Sequence, residues 1–458
     1  MQHLMFVIIL AVTIVSYLTD IHVAPALFKY LPEALSGFVA AYVVLAGPST
    51  RFRLVAGRYW LVLVSLAVVV ACGALSNAVA PGPLTQGFRF YLRAMPLFLL
   101  PAVFEFSDSD VRTQLRLLLG IALLQLPISI YQRYMVFAAG RNSGDTVVGT
   151  LLISSVMSIF LISCICVAAG LVLRGRISKV VFFTLFVLLV IPTTINETKG
   201  TLFLLPIGLL TALVVGSPPK KRMKVGISAL MLLAVFGLLF VPIYDYFSVR
   251  NNPYPYTVES FFSSKKMVGH YLDPGTDLGS RKGAGRIDSL VVPLQTLSAD
   301  PVQLTLGVGI GNGSGSALGN VYAGAYYELL GRFTQQSSAA AFIVEIGVLG
   351  MTLVLLLYWL IFRDAYFVAT QDSSIIGAVA LGWIGTTAVF AVATFYKTIH
   401  YFDSLSYLFW YFSGLVVAQR MRLTLSARPQ RRQVSALGLA LTDKPSVRSR
   451  IRSGAQKE

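Results

Sequence analysis

Four basic side chains from three separate segments are candidates for one anion-binding pocket. Arg89 and Arg93 lie in the apolar segment 88–105, four residues apart, so on a helix they share one face. Lys199 lies in the short polar turn 196–201, and Arg286 in a long hydrophilic stretch further along. Guanidinium groups match phosphate oxygens with paired hydrogen bonds. If these four cations converge, the pocket they form is predicted to bind a phosphate or pyrophosphate. Arg133, taken alone, is better explained by snorkelling towards lipid headgroups.

The elements that must position these residues follow from composition. Of the 458 residues, 56% are hydrophobic and only 12% are charged, whereas soluble domains carry about 25% charged residues. An ordinary soluble enzyme is therefore excluded. A membrane-spanning helix needs about 20 mostly apolar residues, and we identify twelve such segments: 3–19, 30–47, 59–77, 88–105, 117–137, 150–173, 179–195, 201–216, 225–243, 339–361, 375–395 and 404–419.

The predicted fold class is all-α, a polytopic membrane protein of about 12 transmembrane helices with one large periplasmic loop containing short helices. The chain divides into nine spans (1–243), the loop (244–338), three further spans (339–419) and a basic cytoplasmic tail (420–458), which we expect to be disordered. The first segment lacks a small-residue cleavage site, so we expect it to be retained.

The net charge of +17 would suit nucleic acid, but its location argues against that. If the spans alternate, the basic residues between them fall on the same side as the basic tail, which is the positive-inside pattern. The sequence therefore predicts both termini in the cytoplasm and no nucleic-acid partner. A specific binding arm in the tail is the weaker alternative. These basic residues between spans are Arg51, Arg53, Arg58, Arg174, Arg176, Lys179, Lys220, Lys221, Arg222 and Lys224.

Cysteine and histidine offer no metal chemistry. Cys72, Cys164 and Cys166 all lie in apolar segments, and the four histidines show no paired ligand spacing. We predict neither a metal site nor a cofactor.

The hydrophilic stretch 244–338 balances seven basic against seven acidic residues and is rich in aromatics. Aromatic faces with charged groups between them suit sugars, although an interfacial aromatic belt is the alternative. Its glycine-dense run, 307–315, lacks the Lys-Ser/Thr ending of a phosphate-binding P-loop. A tight turn or flexible hinge and a ligand-contacting role remain equally open for this run.

Several motifs resemble the bacterial O-antigen ligase and oligosaccharide repeat-unit polymerase (Wzy-type) superfamily. Gly285-Arg286-Ile287-Asp288 and the glycine-rich Leu306–Asn312 are similar to two segments of that family's loop. The stretch from Glu345 to Gly350 resembles the start of the helix that follows the loop in that family. Thr198-Lys199-Gly200 resembles a turn that the family carries on the outer side of the membrane.

The resemblance implies glycosyl transfer at the periplasmic face of the bacterial inner membrane. Undecaprenyl-pyrophosphate-linked oligosaccharides would be joined into a surface or secreted polysaccharide, without a metal. The partners implied are these lipid-linked oligosaccharides and membrane lipid, with a flippase and a chain-length-regulating co-polymerase as further candidates. The implied catalytic residues are Arg286, Lys199, Glu197 and Asp288, and the implied substrate-binding residues are Arg89, Arg93, Arg281, His270, Gln335 and Tyr326. Glu197, Asp288 and His270 remain alternatives for the general base.

Two departures from the family pattern shape the choice within it. No histidine occurs in Phe333-Thr334-Gln335-Gln336-Ser337, where ligases carry a His-Asn pair, and Lys199 replaces a common arginine. The first departure favours a polymerase over a ligase. A flippase or twelve-span transporter is the rival from another class, although we find no internal repeat of the kind that transporters often show.

Overall fold

The computed structural model describes residues 1–46, 54–138, 144–251, 257–264, 285–316 and 319–442. Within these residues the chain forms helices joined by turns, without a β-strand. Eight of the helices are long and apolar enough to cross a membrane. The prediction of a helical polytopic membrane protein is therefore confirmed, while the count of twelve spans stays a prediction.

The helices of the first half follow the apolar segments closely. Their bounds are α1 Gln2–Asp20, α2 Ala26–Ala46, α3 Gly57–Ser76, α4 Pro81–Leu92, α5 Met95–Val103, α6 Asp108–Ala138, α7 Ser154–Leu173, α8 Lys179–Ile195, α9 Thr201–Val215 and α10 Arg222–Asn251. Helices α8 and α9 are apolar but shorter than the eight.

The second half contains four short helices and then three long ones. The short helices are α11 Val258–Ser263, α12 Asp288–Leu297, α13 Pro301–Leu306 and α14 Tyr327–Thr334, and the long ones are α15 Ser338–Gln371, α16 Ile375–Tyr396 and α17 Asp403–Thr442. Short helices in the stretch 244–338 were expected. Helix α17 continues into the part of the tail that was predicted to be disordered, and 443–458 lies outside the described residues.

The fourth apolar segment is two helices rather than the one predicted over 88–105. Helix α4 ends at Leu92, and α5 begins at Met95, where a proline stands in its first turn. Proline lacks the backbone N–H that a continuous helix would use, but it fits a first helical turn. The break places Arg89 in the last turn of α4 and Arg93 at its C-cap.

Helices α7 and α16 form the interior of the bundle. In each of them, 83% of the most apolar stretch is buried inside the protein, against 17% for the stretch 219–249 that includes most of α10. Helix α10 is therefore peripheral, with most of its apolar surface left for lipid.

Basic residues from separate connections gather at one end of the bundle, here called the basic end. Arg58 and Arg420 both bind the Asp364 carboxylate near the end of α15. Arg174, Arg176 and Arg222 reach, in turn, the Ala369 carbonyl, the Ser373 carbonyl and the Tyr366 hydroxyl. For these five residues the predicted common end is confirmed. That this end faces the cytoplasm stays a prediction.

Candidate functional site

The opposite end of the bundle, here called the loop end, is shaped by the turn between α8 and α9. The Asn196 amide donates to the Ser154 carbonyl (2.9 Å) and to Ser158 Oγ (3.0 Å), at the start of α7. The Asn196 side-chain oxygen accepts the backbone N–H of Thr198 at 3.1 Å. This buried asparagine therefore fixes the turn to the interior helix.

Glu197, the next residue, has an unusual backbone conformation. Its φ is +56°, in the left-handed region that side chains other than glycine seldom adopt. Such strain persists where the surroundings impose it, and it clusters at functional sites. The side chain is buried and lies 2.8 Å from Arg133 Nη2. Burial raises the pKa of the Glu197 carboxyl above its usual value, although Arg133 and Lys199 act in the opposite direction.

Lys199 points its ammonium group at aromatic rings. Its Nζ lies 4.8 Å from the ring centre of Phe261 on α11 and 5.9 Å from that of Tyr244 on α10. Ring faces attract cations electrostatically. Two aromatic side chains of the stretch 244–338 thus lie beside a predicted catalytic cation.

Arg286 docks on the junction that follows α16. Its Nη1 donates to the carbonyls of Gln336 (2.9 Å) and Tyr396 (2.8 Å), and the guanidinium lies 5.0 Å from the Tyr396 ring centre. Gly200 packs against the same ring, since a Cβ there would lie 2.5 Å from Tyr396 Cζ. The Lys199 turn and Arg286 therefore meet around one tyrosine.

Lys397 adds a further cation beside Arg286. Burial lowers the pKa of the Lys397 ammonium; Arg286 lowers it further, and Asp145 opposes the shift. Asp145 also raises the pKa of the Glu197 carboxyl, so this one acid interacts with both Lys397 and Glu197. We refer to Arg133, Asp145, Glu197, Lys199, Arg286 and Lys397 together as the Arg286 cluster.

Arg89 and Arg93 belong to a separate group, the Arg93 cluster, with Glu33 and Asp403. Arg89 Nε lies 2.8 Å from Glu33 Oε1, and Arg93 Nη1 lies 3.0 Å from the same oxygen. Arg93 Nη2 also lies 3.0 Å from Asp403 Oδ1 and donates to the Tyr401 carbonyl. The expected shared face of the two arginines is confirmed by their common partner, but that partner is an acid of the chain itself.

The segment 397–403 runs from one cluster to the other. It begins at Lys397, passes through a short 3-10 turn, Ile399–Tyr401, and ends at Asp403, the first residue of α17. The Tyr401 hydroxyl bonds Ser314 Oγ at 2.5 Å, and Ser314 donates to the Glu345 carboxylate at 2.6 Å. This segment thereby also joins the glycine-dense run to α15.

The glycine-dense run is packed in the interior. Residues 307–314 are all buried, and Gly311, with φ +76°, lies so close to α4 that a Cβ would stand 1.9 Å from the Pro83 carbonyl oxygen. Glycine is required at such a contact because any side chain would collide with backbone. This packing fits a tight turn better than a flexible hinge, and the ligand-contacting role stays a prediction.

An apolar cavity of about 680 Å³ opens beside the segment 397–403. It runs between α3, α4, α15 and α17, and Ile399 and His400 line it. The His400 ring packs between the rings of Phe342 and Tyr401, with centroids 4.6 and 4.1 Å away. Burial, with a contribution from Arg93, lowers the pKa of His400 to about 3, so the imidazole is neutral near pH 7.

The remaining predicted residues occupy varied positions. Asp288 is buried at the first position of α12, Gln335 is exposed and donates to the Tyr327 hydroxyl, and the Tyr326 hydroxyl accepts from Gln303. Arg281 and His270 lie outside the described residues. Of the predicted catalytic set, the structure thus brings together Arg286, Lys199 and Glu197.

Sequence reasoning missed Lys397, His400 and Asp145. A usable signal existed for the first two, because Lys397-Thr398-Ile399-His400 separates the last two apolar segments at the same end as Lys199. Within the described ranges, no three His, Cys, Asp or Glu side chains are grouped so as to hold a metal ion.

Comparison with known protein families gives no match for the chain. No curated protein matches it either.

Proposed function

We propose that the protein is a glycosyltransferase of the bacterial inner membrane that joins undecaprenyl-pyrophosphate-linked oligosaccharide repeat units. In this proposal the loop end faces the periplasm and the basic end faces the cytoplasm, in the orientation that the positive-inside rule favours. The sequence resemblance to repeat-unit polymerases supports the choice of substrate.

The observation that carries the proposal is that the segment 397–403, which begins in the Arg286 cluster, also lines the apolar cavity. Lys397 belongs to the cluster, and Ile399, two residues further on, lines the cavity. A lipid pyrophosphate combines an anionic head with a long apolar chain, and this arrangement offers a partner for each part. A charged head and a hydrocarbon chain would then meet protein of matching polarity at one end of the bundle.

The chemistry that we assign is a displacement at the anomeric carbon. The oxygen of an acceptor hydroxyl forms a bond to that carbon, the bond from carbon to the phosphate oxygen breaks, and the lipid pyrophosphate leaves with the electron pair. Arg286, Lys199 and Lys397 would stabilise the charge that develops on the leaving group. Glu197 would take the hydroxyl proton, because burial raises the pKa of its carboxyl towards the working pH.

The direct test uses purified full-length protein in lipid nanodiscs with lipid-linked oligosaccharide as substrate. We expect a ladder of products, and Arg286→Ala is expected to slow its formation by about 100-fold to 1,000-fold, as loss of one charge-stabilising donor commonly does. Arg332→Ala is the matched control. Arg332 also lies in the stretch 244–338, but its guanidinium packs on the Phe333 ring. We expect this control to retain full activity.

Other outcomes would assign a different function. A single transfer to lipid A core or to protein would indicate a ligase. Movement of the lipid-linked sugar across the membrane without bond formation would indicate a flippase. A full ladder from Arg286→Ala would remove this residue from the mechanism.

A further inference from the structure

Ser338, the first residue of α15, binds the segment 397–403 through its backbone and its side chain. Its N–H donates to the Lys397 carbonyl at 3.1 Å. Its Oγ accepts the backbone N–H groups of Ile399 (2.8 Å) and His400 (3.4 Å), so its own hydrogen is available for His400 Nδ1 at 2.8 Å. Ser338 is 0% exposed, so this hydroxyl joins two parts of the chain and does not contact a substrate.

The hydroxyl of Thr398 makes a second connection, in the opposite direction. Its Oγ1 donates to the Gln335 carbonyl at 2.7 Å, and the residue is 2% exposed. Ser338 therefore reaches from the start of α15 to the segment that follows α16, and Thr398 reaches back. Together the two hydroxyls hold the stretch 335–338 against the stretch 396–400.

Arg286 is held by both of these stretches. Its Nη1 donates to the Gln336 carbonyl of the first (2.9 Å) and to the Tyr396 carbonyl of the second (2.8 Å). Hydrogen bonds weaken steeply when their angle closes, so one nitrogen can serve both carbonyls only while the carbonyls keep their separation. The bonds of Ser338 and Thr398 bridge the same gap, and each of these residues lies two positions from one of the carbonyls.

We infer that Ser338 and Thr398 are positioning residues, whose hydroxyls fix the direction of the Arg286 guanidinium for an anion. This inference rests on the proposed function for the role of Arg286. Neither hydroxyl contacts the substrate. Each acts by keeping the Gln336 and Tyr396 carbonyls at the separation that one guanidinium nitrogen requires, so its loss should impair anion binding only where Arg286 is present.

The test measures anion binding without sugar transfer. Full-length protein in phosphatidylcholine nanodiscs is titrated calorimetrically with inorganic pyrophosphate, which carries the charged group of the proposed leaving lipid. We expect saturable binding by the wild type, which Arg286→Ala weakens. Ser338→Ala and Thr398→Val each remove one hydroxyl and are expected to weaken binding by about threefold to tenfold, the effect of one hydrogen bond.

Two controls separate positioning from a loss of stability. Ser337→Ala removes a buried hydroxyl next to Ser338 that accepts the Ala340 N–H at 3.1 Å and so caps α15. Loss of a helix cap lowers stability, but we expect unchanged pyrophosphate binding. Thr398→Ser keeps the hydroxyl and loses only a methyl group, so it should bind as the wild type does. Equal weakening by Ser337→Ala and Ser338→Ala would overturn the inference.

The sharpest comparison is made in the Arg286→Ala variant, where Lys199 and Lys397 remain to bind the anion. Because Ser338 acts through Arg286, adding Ser338→Ala to that variant should weaken binding no further. An equal loss in both backgrounds would contradict the positioning role. So would wild-type binding by folded Ser338→Ala and Thr398→Val variants, or the absence of saturable pyrophosphate binding by the wild type.

The proposed function fails separately from this inference. If pyrophosphate binding responds as expected but the wild type forms no product ladder, the polymerase is rejected and the positioning of Arg286 stands. If the wild type forms a ladder and Ser338→Ala and Thr398→Val form it at the same rate, only the positioning role is rejected.

Discussion

The two ends of the bundle use charge differently. At the basic end, the Asp364 side chain is 1% exposed and lies between the guanidinium groups of Arg58 and Arg420. At the loop end, the Arg286 cluster combines four basic side chains with two acidic ones, Glu197 and Asp145, and Glu197 pairs with Arg133 at 2.8 Å. The basic end therefore has the chemistry of a structural clamp, in which one buried carboxylate joins two guanidinium groups. The Arg286 cluster carries an excess of basic groups, which suits an anion.

The Arg93 cluster lies at the loop end but resembles the basic end in its chemistry. Glu33 and Asp403 occupy the guanidinium groups of Arg89 and Arg93. These acids join α2, α4 and the start of α17, three elements distant in sequence. We infer that this cluster holds helices together.

The largest expected effect is on stability at the basic end. Asp364→Ala leaves two arginines without their shared carboxylate, which is expected to cost about 3–5 kcal/mol. The measurement is chemical unfolding in detergent micelles. The activity of the molecules that remain folded should not change.

Glu105→Ala is the control for this clamp, since Glu105 is 77% exposed and pairs with Arg422 at 3.6 Å. An exposed pair contributes about 0–1 kcal/mol. Equal losses from the two variants would mean that burial of Asp364 gives it no special structural role.

The next effect concerns Glu197, in the Arg286 cluster. If its carboxylate takes the hydroxyl proton, Glu197→Gln should slow transfer by about 100-fold, which is a typical contribution of a general base. The measurement is the initial rate of ladder formation at several pH values. Glu197 would be excluded as the base if the variant kept the wild-type rate and lost activity at acidic pH in the same way as the wild type.

The stability of the same variant also depends on pH. Because burial raises the pKa of the folded carboxyl above its ordinary value of 4.5, the ionised form costs stability at pH above the folded pKa. The wild type should therefore become more stable as the pH falls through that pKa towards 4.5, and Glu197→Gln should lack this rise. Melting temperature against pH gives the comparison.

Some of this arrangement could be predicted from sequence because it depends on local composition. Long apolar stretches must satisfy their backbone groups internally, so they form helices in a membrane, and alternation of spans then places Lys199 and Arg286 at one end. The break between α4 and α5 at Arg93 was harder to predict, because two prolines in 88–105 are also compatible with a single kinked helix.

Contacts between distant elements could not be predicted. Arg133 was interpreted as a snorkelling side chain, but it meets Glu197 because α6 and the turn after α8 come together. Arg93 was expected to bind substrate, and its pairing with Asp403 depends on how α4 packs against α17. Such pairings follow from tertiary packing, which the pattern of one segment does not contain.

A smaller effect separates Arg93 from Arg89. The Arg93 side chain is 9% exposed and serves two carboxylates, whereas that of Arg89 is 24% exposed and serves one. We expect Arg93→Ala to lower the free energy of unfolding by about 2 kcal/mol more than Arg89→Ala does. A loss of activity as large as that of Arg286→Ala, without a loss of stability, would instead place both arginines at the substrate.

The smallest effect is a single hydrogen bond at the basic end. The buried Tyr59 hydroxyl donates to Asp364 Oδ2 at 3.0 Å, and Tyr59→Phe removes only that oxygen. Since Arg58 and Arg420 still hold the carboxylate, the expected loss is about 1 kcal/mol, the net value of one such bond. Chemical unfolding measures this loss.

A Tyr59→Phe, Asp364→Ala double variant supplies the control. The tyrosine substitution should cost nothing further once the carboxylate is gone, because the two changes would then remove the same bond. Fully additive losses would show that the hydroxyl acts elsewhere and that the clamp consists of the two arginines and Asp364.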